Sequence, residues 1–591
     1  MHRILFLAYL LSVAFAHTRS TFDASEFMLL GPAPPSSLLR FTAALPSLDS
    51  PSLEARLRDV SETSSAEYGR WLSDEEAAAL FSACPRVRAR VREWLSLHGA
   101  TCEDLPSALS CEATVADFEG MMAGTRINAY RGLGGAYLLR ADPHSAPLTI
   151  PAALEGDLLF ISGVADFPTR RMRGGARRAT GLTLKANDLP VALESVSALY
   201  GAVSGHVGNS TTVAPVEFQN DDAVEVADLH DFVEFEGARP WTIARKVGPF
   251  SGSDTESTLD EEYVAGVSNG TATNWFWVEK AWLFDWVQAL AAANRSDIPD
   301  VFSVSWGWFE GGQCDTDATG GPCDSNSSEA ASLAYVDAVN IGLLAAAARG
   351  ITIVVAAGYA GAHGRSDPSC SAGMTRPDFP ASSPYVLSVG GTQLTGAATP
   401  LVAPRSKICQ QIGTCAGAGV QVTCSAKTGG HITTGGGFSV RAPQPAWQAV
   451  AVASYLASGA LLPPRGDFNA SARAFPDVAA VAHNVMIYQN GGLELVDGTS
   501  ASAPIIAGYI AAANAARKAA GKNVLGFVNP ALYGIAKKTP SAFTDVLIGD
   551  NACAETCKAG CTGFGAAEGW DAVSGWGTVV AAVLLPELER V

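Results

Sequence analysis

The sequence predicts an α/β protein whose larger, C-terminal part is built on a doubly wound parallel sheet, preceded by a smaller α+β unit. Beyond about residue 180, near-continuous apolar strands alternate with long helical segments. That alternation is typical of a parallel sheet covered by helices on both faces. Before about residue 170, amphipathic helices and short strands are mixed, and a basic stretch separates the two textures.

Composition supports a large folded core and excludes some partners. Of the 591 residues, 48% are apolar and 17% are charged, so the chain is not disordered. The net charge of −18 argues against nucleic acid or an anionic membrane surface as the main partner. We therefore expect neither nucleic-acid binding nor membrane association.

The N-terminus has the pattern of a signal peptide over residues 1–16. Arg3 precedes an apolar run over residues 4–15, and Ala14-Phe15-Ala16 forms a small-x-small cleavage site. No later stretch reaches about 18 uninterrupted apolar residues, the length that a spanning helix needs. The sequence therefore predicts entry into the secretory pathway and release into a lumen.

Cysteine usage and glycosylation acceptors agree with that route. Twelve cysteines favour disulfides, and spacing predicts the local pairs Cys102–Cys111 and Cys314–Cys323 and a cluster over residues 553–561. Zinc binding is the alternative for the cluster, but no histidine lies near it. The Asn-x-Ser/Thr acceptors are Asn209, Asn269, Asn294, Asn326 and Asn469.

The N-terminal unit carries readable helices over residues 52–60, 73–83 and 87–98 and a strand over 136–140. It ends in a cluster of arginines, Arg170, Arg171, Arg173, Arg177 and Arg178. A charge run of this kind is usually a solvated linker, and in a secreted chain it is also a natural processing site. A pro-segment followed by a mature domain accounts for both.

In the C-terminal unit, strands are predicted over residues 301–305, 351–357 and 386–389, and a helix over 328–349. Active sites of such sheets lie beyond the carboxyl ends of the strands. The glycine-rich stretch over residues 401–431 carries three cysteines and is predicted to be an irregular loop.

A candidate nucleophile stands in the small-residue turn over residues 497–504. Ser500 in this turn precedes an alanine-rich apolar segment, roughly residues 505–520, that is predicted to be a buried helix. A hydroxyl at a helix N-terminus can act as a nucleophile, with the helix dipole favouring a developing oxyanion. The alternative is an ordinary N-cap serine.

A serine nucleophile needs a base, and the better candidate is a carboxylate. None of the histidines of the mature region lies in a His-Gly-Thr context: His206, His230, His363, His431 and His483. Glu256 and Asp260 are four residues apart, so on a helix they lie on one face and can share a proton if buried. A solvated acidic helix face is the alternative.

These segments, taken together in order, resemble the sedolisin (serine-carboxyl peptidase) family, most closely its lysosomal tripeptidyl-peptidase branch. The resemblance covers nearly the whole chain, through the motifs at residues 65–73, 256–260, 379–392, 435–439, 468–479, 498–502 and 569–577.

The resemblance implies a subtilisin-like α/β fold and a set of domains. Residues 17–170 would be the pro-segment (activation domain), 171–180 a basic processing linker, and 181–591 the peptidase domain. The pro-segment would shield the cleft as an intramolecular inhibitor, and the implied compartment is the extracellular space or a lysosomal or vacuolar lumen.

It also implies roles for the three polar residues. Ser500 would attack a peptide carbonyl, Glu256 would take the hydroxyl proton as general base, and Asp260 would orient Glu256. A glutamate side chain in water has a pKa of about 4.3, so this base predicts an acid optimum on the order of pH 3 to 5. Peptides or proteins are the expected substrates.

The C-terminal stretch matches the calcium site of the family. Asp545 and Asp571 would supply carboxylates. Backbone carbonyls would come from Val546, Ala567 and Gly569. Oxygen ligands suit calcium, and a disulfide-held loop without metal is the alternative. By the same resemblance, Cys370 is expected to pair with Cys557, and Cys553 with Cys561.

The chain departs from the family pattern at the oxyanion position. Where the family carries an aspartate after the strand over residues 351–357, this sequence has Tyr359. The phenol either donates the oxyanion hydrogen bond or points elsewhere and leaves a weak or inactive protein. Losing such a donor typically costs roughly 10²–10³ in rate.

A second departure follows the strand over residues 301–305. Trp308 and Phe309 stand where the tripeptidyl-peptidase branch has acidic residues, and an insertion over residues 311–327 follows. This weakens the expectation of a tripeptidyl exopeptidase. The alternatives to an active peptidase are a catalytically impaired relative that binds peptides or other proteins, and a subtilisin-type enzyme with a histidine base.

Overall fold

A computed structural model describes residues 27–132, 137–142, 145, 148–164, 177–178, 189–203, 211–218, 224–248, 254–279, 282–314, 328–395, 398–554, 557 and 561–591. The predicted signal peptide, most of the predicted linker, Cys323 and the acceptors Asn209 and Asn326 lie outside the described residues.

The N-terminal unit is an α+β structure with two small antiparallel sheets. Its strands are β1 (Phe27–Pro32), β2 (Leu38–Ala44), β3 (Thr101–Leu105), β4 (Ala108–Thr114), β5 (Ile127–Gly132), β6 (Tyr137–Ala141) and β7 (Phe160–Ser162). Its helices are α1 (Ser50–Ser61), α2 (Asp74–Phe81), α3 (Pro85–Leu97) and α4 (Val115–Met121). The sheets have the strand orders β1-β5-β6 and β3-β4-β2-β7. The three predicted helices and the predicted strand are confirmed within a few residues.

The C-terminal unit contains the remaining elements. Its helices are α5 (Leu193–Tyr200), α6 (Val226–Glu236), α7 (Thr255–Ser268), α8 (Leu283–Ala292), α9 (Glu329–Ala348), α10 (Lys407–Ile412), α11 (Ala449–Ala457), α12 (Thr499–Ala519), α13 (Asn529–Lys538) and α14 (Ala581–Arg590). Its strands are β8 (Arg177–Arg178), β9 (Thr212–Phe218), β10 (Arg245–Val247), β11 (Thr273–Glu279), β12 (Val301–Val304), β13 (Trp308–Phe309), β14 (Thr352–Ala356), β15 (Asp378–Phe379), β16 (Leu387–Leu394), β17 (Thr399–Pro400), β18 (Ala416–Ala418), β19 (Gln421–Thr423), β20 (Gly437–Pro443), β21 (Ala472–Phe475), β22 (Val478–Val481), β23 (Val485–Gln489), β24 (Gly492–Val496), β25 (Phe543–Thr544) and β26 (Thr578–Val579).

A central sheet organises this unit, with the strand order β10-β11-β9-β12-β14-β16-β22-β26-β25 among the described residues. All neighbours from β10 to β26 run parallel, while β25 pairs antiparallel with β26 and β19 with β16. One apolar core joins α7 and α12 to one face, and a second joins α8 and α9 to the other. The predicted doubly wound parallel sheet is therefore confirmed.

Helix α9 is long and apolar enough to cross a membrane by length and composition, alone in this among the described helices. It packs against α1 and α8 in this fold, and 67% of its most apolar window is buried.

The expectation of an irregular loop over residues 401–431 is wrong. The stretch contains α10, β18 and β19, and a disulfide between Cys409 and Cys415 closes the α10 turn. The high glycine content hid these short elements, which are held by packing of α10 against α6 and by pairing of β18 with β17 and of β19 with β16.

The disulfides agree with spacing in one place and disagree with the expected pairing in another. Cys102 and Cys111 are bonded as predicted, across β3 and β4. Near the C-terminus, Cys370 is bonded to Cys561 and Cys553 to Cys557, so the expected pairs Cys370–Cys557 and Cys553–Cys561 are wrong. Cysteines four residues apart can exchange partners without moving the surrounding chain far, so spacing does not decide between them.

Candidate active site

Ser500 lies in the first turn of α12. The N-cap of this helix is Gly498, which makes no side-chain capping bond, so the N-cap interpretation of Ser500 is wrong. Thr499 Oγ1 accepts a hydrogen bond from the Gly358 amide over 3.1 Å and donates one to the Gly358 carbonyl over 3.0 Å. Because Gly358 follows β14, Ser500 lies at the carboxyl ends of the parallel strands, where N–H groups of the first helical turn favour negative charge.

Pro504 changes the hydrogen bonding of Ser500. In a regular helix the N–H of residue 504 would donate to the carbonyl of residue 500, and proline has no N–H. The hydroxyl of Ser305, just beyond β12, lies 3.4 Å from the Ser500 carbonyl oxygen and donates to Asp260 Oδ1 over 2.8 Å. Ser305 therefore connects the nucleophile's helix to the helix of the carboxylates.

Glu256 and Asp260 are buried on α7. The side chain of Asp254 caps this helix by accepting a hydrogen bond from the Glu256 amide over 3.2 Å. Glu256 is 7% exposed and Asp260 is fully buried, so the alternative of a solvated acidic face is wrong. The two carboxyls therefore lie one turn apart in the protein interior.

Close packing sets the register of α7 against α12. A Cβ added to Gly508 would come within 2.7 Å of Val267 Cβ and 3.1 Å of the Ser268 nitrogen, so glycine is what lets the helices approach. Ser500 precedes Gly508 by eight residues, and Asp260 precedes Ser268 by eight. Since Ser305 also bridges Asp260 and Ser500, the two helices run parallel with Asp260 level with Ser500. Glu256 lies about one turn, or ~6 Å, closer to the N-terminus of α7.

Tyr359 follows the end of β14 and is half-buried. The guanidinium of Arg365 lies 3.5 Å from the centroid of its ring. The ring packs against the buried cluster of Cys424, Ile432 and Ala482, and the carbonyl of Tyr359 accepts a hydrogen bond from the Thr433 amide. The ring is therefore fixed between a cation and an apolar wall beside the turn that carries Ser500.

Asp378 is a carboxyl near this turn that sequence reasoning missed. A Cβ on Gly358, whose φ is +97°, would come within 2.0 Å of Asp378 Oδ2, so only glycine fits there. Burial raises the pKa of Asp378 to about 7, and the charge of Arg365 partly opposes that rise. Asp378 is thus protonated at acid pH.

Two further acidic groups support the strand ends. Trp306 Nε1 donates to Glu217 Oε2 over 3.0 Å, which ties the segment after β12 to β9. Glu310, next to Trp308 and Phe309, is buried and accepts hydrogen bonds from Ser382, Ser439 and the Val440 amide. Burial raises the pKa of Glu310 to about 7. Its hydrogen-bond donors are groups of the protein interior.

A histidine–aspartate pair supports the turn that precedes Ser500. His483 Nδ1 lies 2.5 Å from Asp497 Oδ2, and Asp497 also accepts hydrogen bonds from the amides of His431 and Asn484. Although burial alone would raise the pKa of Asp497, the hydrogen bond and charge of His483 lower it. Asp497 therefore fixes the backbone at His431 and Asn484 by accepting hydrogen bonds from their amides.

The residues expected at the calcium site lie on one loop near β25 and β26. Asp545 Oδ2 accepts a hydrogen bond from the Gly569 amide, and Asp571 Oδ2 accepts one from the Ala567 amide. Asp571 is fully buried, whereas Asp545 Oδ1 is buried without a hydrogen-bond partner among the described residues. Val546, the residue after Asp545 on this loop, is also buried. A buried carboxylate oxygen without a donor fits a cation.

Comparisons with known proteins agree with this arrangement. Residues 25–167 match the family described as Pro-kumamolisin, activation domain, and residues 276–525 match the subtilase family. Physarolisin from Physarum polycephalum is 36% identical over 595 residues, covering 99% of both chains. Tripeptidyl-peptidase 1 from Homo sapiens is 31% identical over 588 residues, covering 95% of this chain and 93% of that protein.

A solved structure gives the same result. Pseudomonas sedolisin, a serine-carboxyl proteinase in complex with two molecules of pseudo-iodotyrostatin, is 25% identical with a TM-score of 0.50. The match covers 68% of this chain and 99% of that chain. The chain therefore belongs to the sedolisin family and is a serine-carboxyl peptidase, a serine-type hydrolase that carries an N-terminal activation domain.

Proposed function

We propose that the protein is an acid-acting peptidase that hydrolyses peptide bonds through an acyl-enzyme at Ser500, with Glu256 as general base and Asp260 orienting Glu256. The observation that carries the proposal is the parallel register of α7 and α12. It brings Asp260 level with Ser500, and Ser305 connects the two. Buried carboxylates beside a serine in the first turn of a helix supply a base, a nucleophile and a field that favours an oxyanion.

The proposed reaction has two halves. Ser500 Oγ attacks the carbonyl carbon while its proton passes to the Glu256 carboxylate, and the resulting oxyanion faces the helix N-terminus. When the C–N bond breaks, Glu256 returns the proton to the leaving nitrogen. Water then attacks the ester, giving its proton to Glu256, and Ser500 Oγ takes a proton back as the acid product leaves.

Substitution and labelling test these roles. On a fluorogenic peptide between pH 3 and 7, we expect Ser500→Ala to reduce kcat about 10⁶-fold and Glu256→Gln about 10²–10⁴-fold. A fluorophosphonate or peptide-aldehyde probe should label wild type but not Ser500→Ala. Ser502→Ala is the matched control, because Ser502 Oγ donates to the carbonyls of Ala480 and Val481. Labelling that survives Ser500→Ala would refute the assignment.

The second candidate function is a catalytically impaired relative that binds peptides or other proteins. It is favoured by Tyr359, whose bulky ring is held by Arg365 at the oxyanion position implied by the family. Such a protein would bind peptide without being labelled at Ser500. Active-site titration with the same probe separates the two functions.

A tripeptidyl exopeptidase mode is the narrower form of the proposal. Relatives named tripeptidyl-peptidase 1 support it. Trp308, which is buried, and Phe309, which lies under Arg376, weaken it because neither can pair with a substrate amino group. A peptide with a free N-terminus and its acetylated form distinguish the modes: only an endopeptidase cleaves both equally.

The proposal includes maturation, compartment and metal. The pro-segment would keep the cleft closed until acidification and cleavage in the linker, and the enzyme would act outside the cell or in a lysosomal or vacuolar lumen. We propose calcium for the loop of Asp545 and Asp571, since Asp545 Oδ1 is a buried acceptor without a donor among the described residues. When bound, calcium would fix the loop, with the carbonyls of Val546, Ala567 and Gly569 as further ligands.

A further inference from the structure

The side chain of Trp71, just before α2, fits into a notch of the C-terminal unit. A Cβ on Gly350 would come within 2.5 Å of the indole, and one on Gly526 within 2.4 Å. Trp71 Nε1 donates a hydrogen bond to the Val524 carbonyl over 2.9 Å. The notch exists because both positions lack a side chain, and the indole satisfies its single donor there.

Polar contacts hold the chain on both sides of Trp71. Asn523 Nδ2 donates to the Gly69 carbonyl, and the Leu72 amide donates to the Ala348 carbonyl, each over 2.9 Å. These bonds join the backbone that flanks Trp71 to the ends of α12 and α9. The indole is therefore fixed in direction as well as in place.

An ion pair completes the contact at the start of α2. Asp74 Oδ1 accepts hydrogen bonds from Arg349 Nε over 2.9 Å and Nη2 over 2.5 Å, and Asp74 Oδ2 accepts one from the Arg295 amide. The Arg349 side chain is only 3% exposed, so removing Asp74 would leave a cation with reduced solvation. Arg295 is itself paired with Asp300, which also binds Lys518.

This contact is far from the nucleophile. Ser500 lies at the start of α12, and Asn523, Val524 and Gly526 follow the other end of the same 21-residue helix. At 1.5 Å per residue, the helix separates them by about 30 Å. Gly350 likewise precedes β14, whereas Gly358 follows it. Trp71 and Asp74 therefore lie at the opposite edge of the sheet from the candidate active site.

We infer that this notch is a docking surface whose occupant is the segment of residues 68–74, and that it holds the pro-segment on the enzyme after the linker has been cut. Activation then has two steps, cleavage of the linker and release of this anchor. The inference rests on the proposed function only in taking residues 171–180 as the processed linker.

The charge of Asp74 bears on the conditions of release. Burial alone would raise the pKa of Asp74, but the Arg295 amide and the guanidinium of Arg349 lower it below its ordinary value. The ion pair thus persists under mildly acidic conditions, and the aromatic contact does not titrate.

The inference is tested on the full chain made silent by Ser500→Ala, with a specific endoprotease site placed within residues 171–180. After cleavage, we expect the two fragments to co-elute in gel filtration. Trp71→Ala and Asp74→Ala should each raise the dissociation constant of the complex about 10- to 100-fold. Trp94→Ala is the matched control, since Trp94 stacks on His98 within the N-terminal unit. Equal retention in Trp71→Ala and Trp94→Ala would overturn the anchor.

A synthetic peptide of residues 65–78 removes any dependence on the folding of variants. Added to the cleaved Ser500→Ala complex, it should displace the pro-segment, and the same peptide with Trp71→Ala should not. With active enzyme, it should leave kcat and KM for a small substrate unchanged, because the notch is remote from Ser500. Competitive inhibition, or displacement by both peptides, would overturn the inference. Because displacement is measured without turnover, that part of the test is independent of the catalytic roles.

Discussion

Ser305 Oγ donates a hydrogen bond to Asp260 Oδ1 over 2.8 Å, and the same hydroxyl lies 3.4 Å from the Ser500 carbonyl oxygen. Pro504 removes the helical N–H that would otherwise donate to that carbonyl. Ser305 thereby fixes the position of Asp260 relative to the nucleophile.

We predict that Ser305→Ala lowers kcat by about 10- to 100-fold, the value of a hydrogen bond to a charged group, with little change in KM. It should also shift the acid limb of the pH profile, because Asp260 loses a donor that stabilises its ionised form. Ser303→Ala is the matched control: its hydroxyl is buried on β12, two residues before Ser305, without a hydrogen-bond partner among the described residues. Equal profiles for the two variants would contradict the positioning role.

A second prediction concerns Tyr359, whose ring is held at 3.5 Å by Arg365. If the phenol donates to the oxyanion, Tyr359→Phe lowers kcat about 10²-fold at every pH between 3 and 7. Tyr359→Asp should be more active than Tyr359→Phe only at acid pH, where the aspartate carboxyl is protonated and can donate. Tyr488→Phe, on β23, serves as control. Wild-type kcat in Tyr359→Phe would end the donor hypothesis.

The sequence predicted the parts of the fold that depend on local pattern. Apolar segments of the sequence predicted the strands β12, β14 and β16 and the helices α9 and α12. The structure contains each of these elements. Glu256 and Asp260 could be paired because a helix fixes the spacing of residues four apart. Ser305 and Asp378 were missed because their contacts join residues distant in sequence, such as Ser305 with Asp260, which no local pattern records.

The calcium proposal predicts a metal-dependent stability. Bound calcium stabilises the folded state by about 2.7 kcal/mol at a concentration of one hundred times Kd, so EGTA should lower Tm by several degrees. Asp545→Asn should lose this dependence and reduce calcium content measured by atomic emission. Glu568→Gln is the control, because Glu568 is an exposed acid of the same loop. An EGTA effect equal in wild type and Asp545→Asn would argue against the site.

Glycosylation should differ among the described acceptors. Asn294 and Asn469 are exposed, whereas the Asn269 amide donates to the Val203 carbonyl and Thr271 Oγ1 donates to the Ser268 carbonyl. A glycan needs an accessible acceptor, so we expect glycans at the exposed Asn294 and Asn469 and none at Asn269, whose Thr271 is buried. Peptide mass spectrometry with and without amidase treatment measures each site. Glycan at Asn269 would contradict the assignment.

Helix α7 carries two more buried carboxyls beside its candidate catalytic pair. Both oxygens of Glu261 are buried without a hydrogen-bond partner among the described residues, and Glu262 accepts from the Tyr488 amide. Burial raises the pKa of Glu261 well above its ordinary value, opposed by Lys246. Burial likewise raises the pKa of Glu262, to which the charges of Glu236, Asp228 and Glu261 add. Burial also raises the pKa of Glu236 to about 7.

These shifts predict that the protein is more stable at acid than at neutral pH. The folded state binds more protons than the unfolded state between the unfolded pKa near 4.3 and the raised folded values, so stability is full below about pH 4.3 and falls as pH rises toward 7. Each such group contributes a slope of about 1.4 kcal/mol per pH unit. Tm measured from pH 4 to 7 should therefore fall, and Glu261→Gln, which cannot ionise, should fall less steeply than wild type. Glu225→Gln is the control because Glu225 is exposed at the start of α6, and an unchanged slope in Glu261→Gln would contradict the prediction.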